Sequence, residues 1–299
     1  MKKRIYINGK AVSPESSFED ITIFLLTGTF LGEILVLLLL EECEEMMDNI
    51  LEILYQDKQL VAINKPHNLL VHRTNWDKAA TEFALQKLRD QLGRHVYPSH
   101  RLDRKTSGVL LFALDKGTDK LMKAQFEEKR LHKKYLTIVR GHTPLSGSIT
   151  KPLSKEDSGV MQEALTHYKR LKTITLPLPI GNYPLSKYSL VEVQPETGRT
   201  HQIRRHFAHL RHYIVGDKKH GDHRHNKLFE RVFHLDTMLL HAFQLHFTHP
   251  VTQQVIQLTA PFQPMFQEVL EKLWPAFSYY PFEEVCSWEN QKTETTILK

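Results

Sequence analysis

The stretch His100-Arg101-Leu102-Asp103-Arg104-Lys105-Thr106-Ser107-Gly108-Val109-Leu110-Leu111-Phe112-Ala113-Leu114 places one carboxylate between two arginines, then small turn residues, then an unbroken apolar run. A short apolar run closed by Asp115 reads as a buried strand, and the Thr106-Ser107-Gly108 turn ahead of it delivers Asp103 to the rim of a sheet. Rims are where clefts form. Arg101 and Arg104 favour an ionised Asp103, since an opposite charge within several Å lowers an Asp pKa by roughly one to three units. A structural salt-bridge cluster at a strand entrance would read the same way from these residues alone.

Upstream, residues 50–55 and 60–64 form two strand-like runs around the polar turn Gln56-Asp57-Lys58-Gln59, and Lys65-Pro66 stops the second. Asn68, in the loop that follows, tolerates the left-handed conformation such turns often require. Ala80, Ala84, Leu85, Leu88 and Leu92 recur at helical spacing before Gly93, a good helix stop. Downstream, a helix is expected from Asp115 or Thr118 to Phe126, then a strand at Tyr135-Leu136-Thr137-Ile138-Val139. Residues 143–185 read as loops decorating a sheet edge, with one strand-like run over 166–174. Residues 188–193 alternate as a strand, Gln194-Pro195-Glu196-Thr197-Gly198 is a turn, and Ile203, Phe207 and Leu210 put one helix face inward, with Arg204, Arg205 and Arg211 beside or opposite it. A hairpin over residues 238–258 and a last amphipathic helix between Pro261 and Trp274 complete the chain.

At 299 residues the chain can bury a sizeable core, and its 41% apolar and 25% charged side chains exclude a disordered or fibrous protein. Cys43 and Cys286 are its only cysteines, so neither a disulfide framework nor a cysteine-based zinc site is indicated, and a reducing cytoplasm fits. The net charge of +6 is unevenly placed. Residues 1–46 carry −4, whereas residues 199–231 hold nine Lys/Arg against three acids, a basic segment suited to a polyanion.

Residues 21–40 are almost wholly apolar and long enough to span a membrane, but Glu33 near their centre argues against that. Nor is there a small-residue cleavage site of a secretory signal. Residues 1–46 are therefore taken as an N-terminal extension with a hairpin arm around Asn8-Gly9, and translation could begin at Met47. Residues 47–281 form one catalytic domain, and 282–299 a polar tail. Eleven of the 18 histidines lie between His201 and His249, but without the companions of a metal site, so these imidazoles are expected to extend a polar surface facing the partner. Nucleotide-binding glycine fingerprints are absent, which argues against ATP or NAD as a co-substrate.

Four blocks carry a resemblance: residues 65–72; the Asp103 stretch; Lys134-Tyr135 through Val139-Arg140-Gly141; and Gly198-Arg199-Thr200-His201-Gln202-Ile203-Arg204-Arg205-His206, continuing to Val215-Gly216-Asp217 and Gly221. Their order and content resemble the RluA-type pseudouridine synthases over residues 50–261, although the family usually has Gly where Asn68 stands. The resemblance implies an α+β fold, with a mixed, mostly antiparallel sheet and a catalytic cleft across one face. It implies isomerisation of uridine to pseudouridine in RNA, with no cofactor and no metal. Asp103 would be the nucleophile, Tyr135 would stack on the flipped uracil, and Arg204 would be the buried ion-pair partner of Asp103. Arg101, Arg104, Thr106, Arg199, His201, Gln202 and Arg205 would meet the substrate. The text around residues 51–57, 166–168 and 206–212 resembles the members that act on transfer RNA, at uridine 65 of the T-stem, more than the ribosomal RNA members. A monomer is expected. Two rivals are a catalytically silent RNA-binding protein on the same scaffold, and a hydrolase, which would need a second acid at a defined separation.

Overall fold

The computed structural model describes residues 5–7, 10–12, 50–72, 81–275, 277 and 297–298. The chain falls into two compact units, Met1–Ile50 and Leu51–Lys299. In the first, β1 (Ile5–Ile7) pairs antiparallel with β2 (Lys10–Val12), Ile7 opposite Lys10, which is the hairpin expected around Asn8-Gly9. The apolar run 21–40 lies outside the described residues, as does most of the polar tail. Among the described residues no helix is long and apolar enough to cross a membrane.

The second unit is built on β3 (Ile53–Gln56), β4 (Leu60–Lys65), β5 (Tyr97–Pro98), β6 (Ser107–Ala113), β7 (His132–Arg140), β8 (Ser146–Ile149), β9 (Leu153–Ser154), β10 (Met161–Gln162), β11 (Thr166–Leu176), β12 (Ser186–Pro195), β13 (Leu240–Thr248), β14 (Val255–Thr259) and β15 (Ile297–Leu298). Its helices are α1 (Ala84–Leu92), α2 (Lys116–Glu127), α3 (Gln202–His209), α4 (His223–Phe233) and α5 (Pro264–Leu273). Eleven strands make one sheet in the order β15-β8-β11-β12-β7-β13-β6-β4-β3, with β14 also on β13 and β5 also on β6; β9 and β10 form a separate small hairpin. Pairing is antiparallel except for β15 on β8 and β13 on β6.

Burial explains the apolar runs. Every residue of β4 and β6 is buried, because both faces of this pair are covered. Val61, Ile63, Leu110 and Phe112 pack against Ala84 and Leu88 of α1, and Leu60, Ala62, Leu111 and Ala113 pack with Met122 of α2. In the other half, Leu136, Ile138, Tyr188 and Leu190 meet α4 and α5, while Val139, Val191 and Val193 meet Ile203 and Phe207 of α3. The halves join where β13 lies beside β6, through only two parallel pairs, His241 with Ser107 and Ala242 with Gly108. Gly108 has φ +106°, and a Cβ there would stand 2.2 Å from the Ala242 carbonyl oxygen. Only glycine fits that approach.

Most expected elements are present, including the Asp115 N-cap of α2, the left-handed Gly93 that ends α1 and the left-handed Asn68 (φ 66°). Three readings need correction. Residues 143–185 are not mere decoration, since β8 pairs with β11 inside the main sheet. Helix α4 was not anticipated; its inward side is interrupted by His225, which bonds Tyr188 Oη through Nδ1 at 2.8 Å. Not all of the histidines can extend a polar surface, because four of the eleven, His206, His225, His241 and His249, are buried. His206 bridges Thr166 Oγ1 and the Lys151 carbonyl, and His241 bridges Ser107 Oγ and the Ala260 carbonyl.

Candidate active site

Asp103 occupies a turn closed by the Thr106 N–H donating to its carbonyl at 3.1 Å, with Thr106 and Ser107 buried beneath it as β6 begins. The loop after β4 braces this turn. Lys65 is fully buried and its Nζ donates to the carbonyls of Pro66, Leu69 and Arg104 at 2.7, 2.8 and 3.1 Å, while Arg104 Nε donates to the Asn68 carbonyl at 2.9 Å. Burial pushes the Lys65 amine down to about 7, and the Asp103 charge opposes that shift. The loop after β4 and the Asp103 turn are thus latched to each other by backbone acceptors.

From across the sheet, α3 delivers Arg204. Its Nη1 donates to Asp103 Oδ2 at 2.9 Å, and its Nε and Nη2 donate to Asp217 Oδ2 and Oδ1 at 2.8 Å each. Asp217 is buried and also accepts the N–H groups of Lys219 and His220 through Oδ1. Burial alone would raise the Asp217 carboxyl; the Arg204 hydrogen bonds and charge outweigh it and hold the group below its usual range. Burial likewise works against the Arg204 charge but is outweighed by Asp217 and Asp103, so the guanidinium is held above its usual range. The bidentate grip fixes the plane of Arg204 and leaves Nη1 aimed at Asp103.

An open cleft of about 380 Å³ runs from this pair along the sheet. Its walls include Asp103, Tyr135, Arg204, Arg101, Thr106, Arg199, His201 and Gln202. Tyr135 is half-buried, and burial, then the nearby Asp103 charge, raises its phenol above the ordinary value. His201 begins α3 in a left-handed conformation (φ 54°) with Nε2 3.9 Å from Asp103 Oδ2 and Nδ1 3.0 Å from His220 Nε2. Burial lowers its pKa against the pull of Asp103, so the ring offers hydrogen bonds more than charge.

The sequence-selected residues thus separate. Asp103, Tyr135, Arg204, His201, Arg101 and Arg199 face one cleft, Arg101 exposed at its mouth. Thr106 and Gln202 line it but also act as framework: Gln202 accepts from Thr197 Oγ1 and the Arg199 N–H and donates to the Leu165 carbonyl and Thr166 Oγ1. Arg104 and Arg205 are not in its walls; Arg205 donates to the carbonyl and Oγ of Ser154. The guanidinium bonded to Asp103 comes from Arg204, 101 residues away in sequence. Asp217 and Lys65 were not selected. The signal for Asp217 was its place between Gly216 and Gly221, two glycines whose Cβ would collide with backbone at 1.9 and 2.1 Å. Among the described residues no group of three or more His, Cys, Asp or Glu is placed to hold a metal ion.

The family model described as RNA pseudouridylate synthase matches residues 59–209, which include Asp103, Tyr135 and Arg204. The chain belongs to the RNA pseudouridylate synthase family. A tRNA pseudouridine synthase C of Vibrio vulnificus is 44% identical over 237 residues, covering 76% of this chain and 97% of that protein. One from Pasteurella multocida is 47% identical over 220 residues, covering 70% of this chain and 90% of its own. The structure of human RNA pseudouridylate synthase domain containing 4 superposes with a TM-score of 0.57 at 28% identity, over 74% of this synthase and 92% of the human chain. The expected α+β fold, with its large, mostly antiparallel sheet, is therefore that of a pseudouridine synthase, an isomerase acting on RNA.

Proposed function

We propose that the synthase converts uridine to pseudouridine in transfer RNA, at uridine 65 of the T-stem, with Asp103 as the nucleophile. The observation that carries the chemistry is Asp103 held at 2.9 Å by an arginine that a second, buried carboxylate fixes in place. The substrate class is supported by the names of relatives that match over nearly their whole length.

In this reading the target uridine is extruded into the cleft, at a cost of a few kcal/mol for unstacking that RNA backbone contacts offset. Asp103 attacks the sugar's anomeric carbon or carbon 6 of the base. The bond from N1 to the sugar breaks, the base turns, carbon 5 joins the anomeric carbon, carbon 5 loses its proton and N1 gains one. The bond to Asp103 breaks to return the free carboxylate, as carbon 5 joins on the anomeric-carbon route and after carbon 5 is deprotonated on the carbon 6 route. Atoms balance within one nucleotide, so the scheme needs neither metal nor nucleotide cofactor. Tyr135 stacks on the uracil and, late in the cycle, takes the carbon 5 proton. Its phenolate is disfavoured partly by the Asp103 charge. On the carbon 6 route Asp103 is still covalently bonded when carbon 5 is deprotonated, so that charge is absent and Tyr135 is the better base; on the anomeric-carbon route the carboxylate has already left. Arg101, Arg199 and His201 contact the flanking nucleotide, Arg104, Thr106, Gln202 and Arg205 support the walls, and residues 199–231 meet phosphates. The enzyme acts as a cytoplasmic monomer.

The test is to delete the gene, map pseudouridine across cellular RNA, and restore the gene with Asp103 intact or as Asp103→Asn. Loss confined to one T-stem position, rescued only by intact Asp103, is expected. Loss at ribosomal RNA positions with transfer RNA unchanged would replace the substrate with ribosomal RNA, and rescue by Asp103→Asn would remove the nucleophile.

A further inference from the structure

The cleft extends well past Asp103, to an end walled by Phe126, Glu127, Lys129 and Lys133 that the chemistry above does not use. Lys133 and Tyr135 are two residues apart on β7, so both side chains leave the same face, about 7 Å apart along the strand. Lys133 is only partly exposed, and among the described residues its ammonium has no hydrogen-bond or ion-pair partner. Glu127 shares the rim without forming an ion pair with it. A lysine this desolvated is normally paired.

Its surroundings hold the charge there without neutralising it. His100 is half-buried, and burial, with the Lys133 charge adding to it, pushes the imidazole down to about 3. That neutral ring accepts the Leu111 N–H through Nε2 and stacks on Phe126 at 4.8 Å, so it cannot turn to serve Lys133 as an acceptor. Lys129, left-handed at φ 57° just past the end of α2, brings a second ammonium to the same rim. Burial, then Lys129, brings the Lys133 amine down to about 8. Two cations line an open end of a nucleic-acid cleft, and neither is ion-paired with Glu127, the carboxylate that shares this rim.

We propose that Lys133, with Lys129, forms a phosphate subsite that grips the RNA backbone next to the extruded uridine, at the end of the cleft away from Arg204. Held there, the neighbouring phosphate fixes how deeply the strand enters, and so which base reaches Tyr135 and Asp103. The subsite rests on the RNA reading above, but not on the identity of the modified position. It is distinct from the basic segment 199–231, since Lys133 and Lys129 come from β7 and from just past the end of α2.

The full-length protein is titrated with a T-stem-loop RNA hairpin at several salt concentrations, as wild type, Lys133→Met and Lys133→Arg, with turnover followed in parallel. Lys133→Met should bind roughly ten- to hundredfold more weakly, with the loss mainly in KM. Its plot of log affinity against log salt should be shallower by roughly 0.7 to 0.9, the counterions released at one phosphate. Lys133→Arg should retain most of the slope. Hairpins bearing a single neutral methylphosphonate near the target should reproduce the loss with wild-type protein at one position, and Lys133→Met should show no further loss there. If Lys133→Met fails to fold, Lys133→Gln takes its place in that comparison. An unchanged salt slope, equal sensitivity at every phosphate, or a loss confined to kcat would overturn the proposal. If wild-type protein binds as described yet modifies no uridine in the hairpin, the transfer RNA reading fails and the phosphate subsite stands.

Discussion

Asp217→Asn separates the positioning of Arg204 from the chemistry of Asp103. The substitution keeps the side chain's shape, so Oδ1 can still accept the N–H groups of Lys219 and His220, but the second atom becomes an amide that donates toward the guanidinium. One of two 2.8 Å bonds to Arg204 is lost and a donor faces a donor. Removing one partner from a buried pair costs about 3 to 5 kcal/mol, because the surviving charge stays buried. For a domain of this size each kcal/mol shifts Tm by roughly 2 to 4 °C, so a fall of about 6 to 20 °C is expected in a thermal melt. Pseudouridine formation, measured by tritium release from 5-tritiated transcript, should fall by roughly a hundredfold or more at temperatures where the variant is folded, because Nη1 is no longer aimed. The double variant Arg204→Met with Asp217→Leu replaces the pair with apolar groups, which often restores stability. It should melt near wild type and remain inactive. If Asp217→Asn keeps full activity, or if activity returns with stability in the double variant, Arg204 is structural and the reading fails.

Arg204→Lys should cost roughly a hundredfold or more in turnover, since a point charge cannot span Asp217 and Asp103, whereas Arg205→Lys, at a residue bonded to Ser154, should stay within about fivefold; equal losses would refute the assignment. The pH dependence of stability has a definite sign: burial holds His241 down to about 4 against 6.5 when unfolded, so the unfolded chain binds more protons between those values and stability is lost as pH falls through that window. That histidine accounts for roughly 3 kcal/mol between pH 7 and 4, and urea melts of His241→Gln should show a shallower acid loss than wild type. Gly108→Ala should leave little soluble protein, as its Cβ would press on the Ala242 carbonyl at a positive φ; a soluble, active variant would mean that β6 and β13 can part. A chain starting at Met47 should be soluble and active, and failure to fold would give residues 1–46 a structural role.

The local elements were legible because local chemistry decides them. The unbroken apolar runs of β4 and β6, the Asp115 cap and the left-handed Gly93 each register in a few adjacent residues. Residues 143–185 were misread because β8, a short Ser-Gly-Ser-Ile segment, earns its place from pairing with β11 and not from its own propensity. The four buried histidines were misread because imidazole is polar in composition but compact enough to bury when both nitrogens find partners, as His206 and His241 do. Asp103 announced itself beside two arginines, yet the arginine bonded to it arrives from another element, and no local pattern encodes a bond across 101 residues. The fourfold block resemblance supplied that pairing; side-chain spacing could not.

The Asp217–Arg204–Asp103 chain has a consequence that the simple ion pair lacks. Two carboxylates and one guanidinium leave a net charge of −1, so Arg204 cannot fully neutralise Asp103 as it could in an isolated pair. The bidentate bonds engage Nε and Nη2, and Arg204 reaches Asp103 through Nη1 alone. Asp103 is thereby oriented by one strong bond but keeps its other oxygen, Oδ1, free of any such bond to Arg204, which is what a nucleophile requires. A direct bidentate pair between Arg204 and Asp103 would hold the carboxylate equally well and occupy both oxygens. Burying Asp217 is costly unless it is fully paired, and its four acceptor contacts meet that demand. The buried carboxylate therefore absorbs most of the arginine's hydrogen-bonding capacity, and the half-exposed one at the cleft receives direction without being quenched.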